Sequence, residues 1–192
     1  MGNIKYTDID SFICDKSSTC CFTGHRSKDL PDGGNIHGTS MKRLISMLNL
    51  HIQEAYDDGY RTFISGMAQG TDLLCARIVH GLKATSRFSD IKLVCALPYE
   101  QQVNEMKTVF DKYNYTMLLD CCDEAVVISE RDNKARYRLR NQFMVDHSSR
   151  LIGVMKQKVK GSGTSQTVNM AKKAGLELRI IDLDNYKLLY LE

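Results

Sequence analysis

Six short apolar runs alternate with helix-patterned stretches along this chain, and that rhythm constrains the fold more than any other feature. The runs are TCCFTG (19–24), YRTFISG (60–66), IKLVCALP (91–98), EAVVIS (124–129), RLIGVM (150–155) and LELRIIDL (176–183). Between them lie five helical candidates, at 39–59, 71–83, 100–119, 135–149 and 164–175. In the first of these, Leu44, Ile45, Leu48, Ile52 and Ala55 recur at helical spacing, and Gly59 supplies the stop. The runs are continuously apolar rather than alternating, as expected of strands covered on both faces. Strand–helix alternation with short connections predicts an α/β fold: an open, doubly wound, mostly parallel sheet with helices on both faces.

A chain of 192 residues suits one domain. We read residues 18–192 as that domain and the mixed, polar residues 1–17 as an N-terminal extension. Lys and Arg number 26 against 23 acids, a net charge of +3. So small an excess weighs against a nucleic-acid surface, making DNA an unlikely partner. Seven cysteines occur without a C-x-x-C pair, so neither a metal site nor a cofactor is expected. Their odd count and the lack of a secretory signal point to a reducing, cytoplasmic setting. No apolar stretch approaches the length of a membrane span.

In an open α/β sheet, ligands bind beyond the carboxyl ends of the strands, near a reversal of strand order. The loops that follow the strands therefore carry the candidate site. They hold Thr23, Gly24, His25 and Arg26; then Ser65, Gly66, Met67, Gly70, Thr71 and Asp72; then Pro98 and Glu100; then Gly161, Ser162, Gly163 and Thr164. The glycines allow close backbone approach. Thr71 and Thr164 stand at helix starts, where unpaired N–H groups and the helix dipole favour a phosphate or carboxylate. Neither loop is a Walker A motif or a G-x-G-x-x-G fingerprint. Each alone reads equally as a turn with a helix cap. Two on one edge, beside His25 and Arg26, make a phosphate site. Arg26 can clamp a phosphate, and His25 can donate to it or act as an acid. Asp72 can accept from ribose hydroxyls or simply favour the helix dipole. Glu100 is a catalytic carboxylate or a helix-starting acid.

The segments CCFTGHR, ISGMAQGTDLLCARIV, ALPYEQQ, RNQFMVD and GSGTSQTVNMAKKAG resemble, in order and spacing, the YpsA-like branch of the SLOG (SMF/DprA–LOG) superfamily. The resemblance spans roughly residues 18–183. It implies a Rossmann-like fold, a pocket for a nucleotide or nucleotide-derived small molecule, and self-association into a homo-oligomer. It also brings in Arg140 and Asn141, and it suggests a bacterial conflict or phage setting.

The LOG enzymes of this superfamily split nucleoside monophosphates with a helix-borne Arg and a PGGxGTxxE loop. Here Arg140 is the candidate Arg. The loop reads Val159, Lys160, Gly161, Ser162, Gly163, Thr164, Ser165, Gln166, Thr167, so Thr167 takes the Glu position. Cleaving a glycosidic bond calls for a carboxylate to activate water or stabilise the oxocarbenium-like state. Without it, binding is the leading reading, as a sensor or sequestering module. Hydrolysis by Glu100 or Asp72 with Arg140 is the alternative, and DprA-like binding of single-stranded DNA is a third.

Overall fold

The computed structural model describes residues 4–156 and 162–191. Eight strands form one sheet: β1 (Tyr6–Asp8), β2 (Thr19–Gly24), β3 (Thr62–Ser65), β4 (Lys92–Leu97), β5 (Glu124–Val127), β6 (Arg150–Met155), β7 (Glu177–Asp182) and β8 (Lys187–Leu191). Five α-helices lie among the described residues: α1 (Thr39–Asp57), α2 (Thr71–Lys83), α3 (Val109–Cys121), α4 (Arg136–Asp146) and α5 (Gly163–Lys173). The strand order is β1-β5-β4-β3-β2-β6-β7-β8. Strands β1 to β7 pair in parallel, and β8 runs antiparallel to β7.

Successive residues of each strand point to opposite faces, and both faces are buried. Cys20, Phe22, Phe63, Leu93, Cys95 and Leu97 pack with Leu44, Leu48 and Ile52 of α1, Ala76 and Val79 of α2, and Tyr115 and Leu118 of α3. Cys21, Ile64, Val94, Ala96 and Leu151 face the other way, onto Phe143 and Met144 of α4 and Val168 and Ala171 of α5. Continuous apolarity in the runs is the direct result of this two-sided cover. Burial raises the thiol pKa of Cys20 and Cys75 well above the ordinary value, and that of Cys21 to about 12, so these thiols serve as core.

Two elements differ from the sequence reading, one within 100–119 and one past residue 183. The helix expected over 100–119 is broken: Glu100–Glu105 is a 3₁₀ turn and α3 begins only at Val109. The break has a local cause, because the Thr108 side chain accepts from Asp111 N–H at 3.0 Å and caps α3. Residues within the N-terminal 17 build β1 on the sheet edge, and Phe12 is buried against Phe143 and His147. Past the last expected strand, the chain turns at Tyr186 (φ 50°) and returns as β8. Among the described residues no helix is long and apolar enough to cross a membrane.

Candidate functional site

After β2 the chain moves outward through β3, β4 and β5, then crosses back to place β6 on the free side of β2. The strand order therefore reverses between β2 and β6, where the register pairs Thr23 with Gly153 and Gly24 with Val154. A cleft of about 230 Å³ opens beyond that point. It is lined by Thr23, Gly24, His25, Arg26, Asp29, Ala68, Asp72, Tyr137, Arg140, Asn141, Met144, Ser162, Gly163, Thr164 and Thr167.

His25 joins the two sides of the reversal. Its ring is buried, and Nε2 accepts a hydrogen bond from Lys156 N–H at 2.9 Å. Burial pushes its pKa below the ordinary histidine value, against the opposing pull of Asp29. Arg26, next in sequence, is exposed and makes no ion pair among the described residues.

Helix α4 presents Tyr137, Arg140, Asn141 and Met144 to the cleft, at the i, i+3, i+4, i+7 spacing of one helical face. Arg140 is 4% exposed. Its Nη1 donates to the Gly66 carbonyl and to Asp72 Oδ2, the latter at 3.1 Å, while its buried Nε has no partner among the described residues. Burial lowers the Arg140 pKa and raises that of Asp72, and each opposes the other's shift by holding its charge. A Cβ on residue 66 would overlap Arg140 Nη1, so glycine is what lets the guanidinium reach that carbonyl.

The SGMAQGTD loop mostly supports the site rather than lining it. The Ser65 hydroxyl donates to the Asp72 carbonyl at 2.9 Å and accepts from Met67 N–H at 3.1 Å, holding Met67 at φ 54°. Gly70 sits at φ 106°, and a Cβ there would strike the backbone of His25 and Ser27. At the α2 start, where a phosphate was expected at Thr71, the residue's two donors are already engaged. Its N–H and its hydroxyl both donate to the His25 carbonyl, each at 3.1 Å, and so bind loop to loop.

The α5 start differs. Ser162 caps it by accepting from Ser165 N–H at 3.1 Å, and Gly163 and Thr164 border the cleft. Gly161 falls outside the described residues. Thr167 is fully buried and donates to the Gly163 carbonyl at 2.9 Å, and Gln166 is exposed.

The structure thus brings Thr23, Gly24, His25, Arg26, Asp72, Arg140, Asn141, Ser162, Gly163 and Thr164 together around one cleft. Pro98 and Glu100 stand apart from it: Pro98 is buried, and Glu100 is exposed beside Gln101. Asp29, Ala68, Tyr137 and Met144 line the cleft without having been singled out in the sequence. For Tyr137 and Met144 the signal was available as helical spacing from Arg140. Nothing in the sequence marked Asp29, which a 3₁₀ turn at Ser27–Asp29 swings back toward His25.

An open, mostly parallel sheet with a cleft at the reversal of strand order places this chain among the Rossmann-type folds. The family model described as the YspA SLOG family (YpsA) matches residues 20–186, and the chain belongs to that family. It is 31% identical over 132 residues to the uncharacterized SPbeta prophage-derived protein YoqJ of Bacillus subtilis (strain 168), covering 62% of this chain and 74% of that one. A UPF0398 protein of Bacillus cereus (strain B4264) is 26% identical over 132 residues, covering 68% of this chain and 66% of that one. Two solved structures share the fold. DNA processing protein A (DprA) from Streptococcus pneumoniae superposes with TM-score 0.50 at 14% identity, over 84% of this chain and 50% of that protein. DprA from Helicobacter pylori, described by its single-stranded DNA binding mode, gives 0.53 at 15%, over 86% and 70%. The chain thus spans half the length of the first and about two thirds of the second.

Proposed function

We propose that this protein binds a nucleotide or nucleotide-derived ligand of mononucleotide size in the cleft at the strand-order reversal, as a sensor or sequestering module. One observation carries the reading: an exposed Arg26 with no ion pair among the described residues, a buried Arg140 whose Nε has no partner among them, and the first turn of α5 border the same space. Guanidinium groups and a helix N-terminus are complementary to a phosphate. About 230 Å³ lies below the roughly 300–1,000 Å³ of drug-sized sites, which favours one nucleotide over a dinucleotide.

Binding is favoured over cleavage by the state of the carboxylates. Asp72 is committed to Arg140, Glu100 is outside the lining, and Thr167 occupies the position of the LOG glutamate. Hydrolysis would have to fall to Asp29, the other acid in the lining.

Single-stranded DNA is the second reading, supported by the fold shared with the Helicobacter pylori protein. The expectation of self-association belongs to the same proposal, and sedimentation velocity reads it. Thermal unfolding with ribonucleoside monophosphates, ribose 5-phosphate and a short single-stranded DNA separates the readings, with liquid chromatography of the same mixtures for released base. The expected result is a rise in Tm with a nucleotide and no base release. Retardation of DNA that fades steeply between 50 and 200 mM salt, with no nucleotide effect, would favour the second reading. Base release lost on Asp29→Asn would make the protein an enzyme.

A further inference from the structure

Tyr137 is the one Tyr, Phe or Trp among the described residues that line the cleft, and two contacts fix its ring. Its hydroxyl donates to Glu105, which also accepts from the Tyr99 hydroxyl at 2.5 Å. The Arg136 guanidinium lies over the ring, 4.8 Å from its centroid, and reaches Tyr99 as well, at 5.3 Å. Arg136 is itself held by a hydrogen bond from Nη1 to the Asn133 carbonyl at 3.2 Å. The hydroxyl is therefore committed and one face is covered, while the half-buried ring still borders the cleft one turn of α4 before Arg140.

A tyrosine immobilised in this way can offer a ligand only its flat apolar surface. Stacking on such a surface costs little ordering entropy, because the ring is already placed. Arg140, more deeply buried, and the α5 start border the same cleft, and they supply the charge complementarity for phosphate. From this juxtaposition we infer that Tyr137 is a stacking platform for a nucleobase, so that the ligand is recognised at both ends: phosphate by Arg26, Arg140 and α5, and base by Tyr137. The inference rests on the nucleotide reading above and narrows it to ligands that retain an aromatic base.

Stacking is tolerant of base identity, since every base has a π-face. The cleft should therefore discriminate strongly between a nucleotide and a sugar phosphate, and weakly among bases. Loss of stacking reads as roughly a fivefold to hundredfold fall in affinity.

Titration calorimetry tests this with AMP, GMP, CMP, UMP and ribose 5-phosphate on the wild type, Tyr137→Leu and Tyr137→Phe. The expected result is nucleotide binding at least fivefold tighter than ribose 5-phosphate. Tyr137→Leu should abolish that preference without changing the affinity for ribose 5-phosphate. Tyr137→Phe should retain most of the preference, because the ring remains. Equal affinity for nucleotides and ribose 5-phosphate on the wild type would overturn the stacking platform and leave the phosphate site standing. The same conclusion follows if Tyr137→Leu weakens all five ligands equally. No binding of any of the five would overturn the nucleotide reading and the platform together.

Discussion

The His25 imidazole takes a hydrogen bond from Lys156 N–H through Nε2, at 2.9 Å, and thereby ties the loop after β2 to the loop after β6. A ring nitrogen that accepts cannot carry a proton, so Nδ1 holds the hydrogen and the ring is neutral. Burial works in the same direction by lowering the pKa.

Stability should consequently fall in mild acid. The unfolded chain protonates His25 near pH 6.5 while the folded ring resists until a lower pH. The stabilisation is complete above about pH 6.5 and is lost as pH falls through the folded value. Urea unfolding between pH 8 and 5 should show a steeper loss for the wild type than for His25→Gln. Parallel pH profiles would contradict the assignment of the neutral ring.

The buried pair of Asp72 and Arg140 should behave as a unit. Removing one charge strands the other in the interior, so Asp72→Asn and Arg140→Met should each cost about 3–5 kcal/mol. The double variant Asp72→Asn/Arg140→Met should cost clearly less than the sum. A double-mutant cycle by urea denaturation measures this directly, and strict additivity would show that the pair is not coupled.

Glycines 66 and 163 should respond oppositely to alanine. At residue 66 a Cβ would collide with Arg140 and the adjacent Asp72 carboxylate, so Gly66→Ala should destabilise by about 3 kcal/mol or more. At residue 163 an added Cβ meets nothing within 4 Å, so Gly163→Ala should be neutral or stabilise by about 0.4–1 kcal/mol. Melting temperatures of the two variants settle the contrast.

Arg26 should matter for ligand and not for folding. Arg26→Ala should keep unfolding stability within about 0.5 kcal/mol of the wild type, because the side chain is exposed and has no ion pair among the described residues. It should remove most of the stabilisation a saturating nucleotide gives, which is about 2.7 kcal/mol at a hundredfold excess over Kd. Differential scanning fluorimetry with and without AMP reads both quantities.

The sheet and its helices were legible because burial on two faces writes long apolar runs into β2 to β7. β1 has three residues and β8 follows a turn at Tyr186, so neither leaves a comparable trace. The break before α3 hid behind the good helix formers Glu105, Met106 and Lys107, just ahead of Thr108. For the candidate site, several of the loop motifs fall on the edge where the cleft opens. Their division of labour was hidden, because it depends on partners far along the chain. Thr71 looks like an anion cradle until the His25 carbonyl, 46 residues earlier, is seen to take its N–H and its hydroxyl. Asp29 gave no local signal at all.

The pairing of β2 with β6 joins residues 20–24 to residues 150–154, with every other pocket-bearing helix and loop in between or beyond. A ribosome that has made only β1 to β5 has made none of α4, β6 or α5, and so has no cleft to offer. The cleft is therefore complete only late in synthesis. Contacts this distant in sequence are also slow to form. Nucleotide present during refolding should hold the finished molecule together without hastening its assembly.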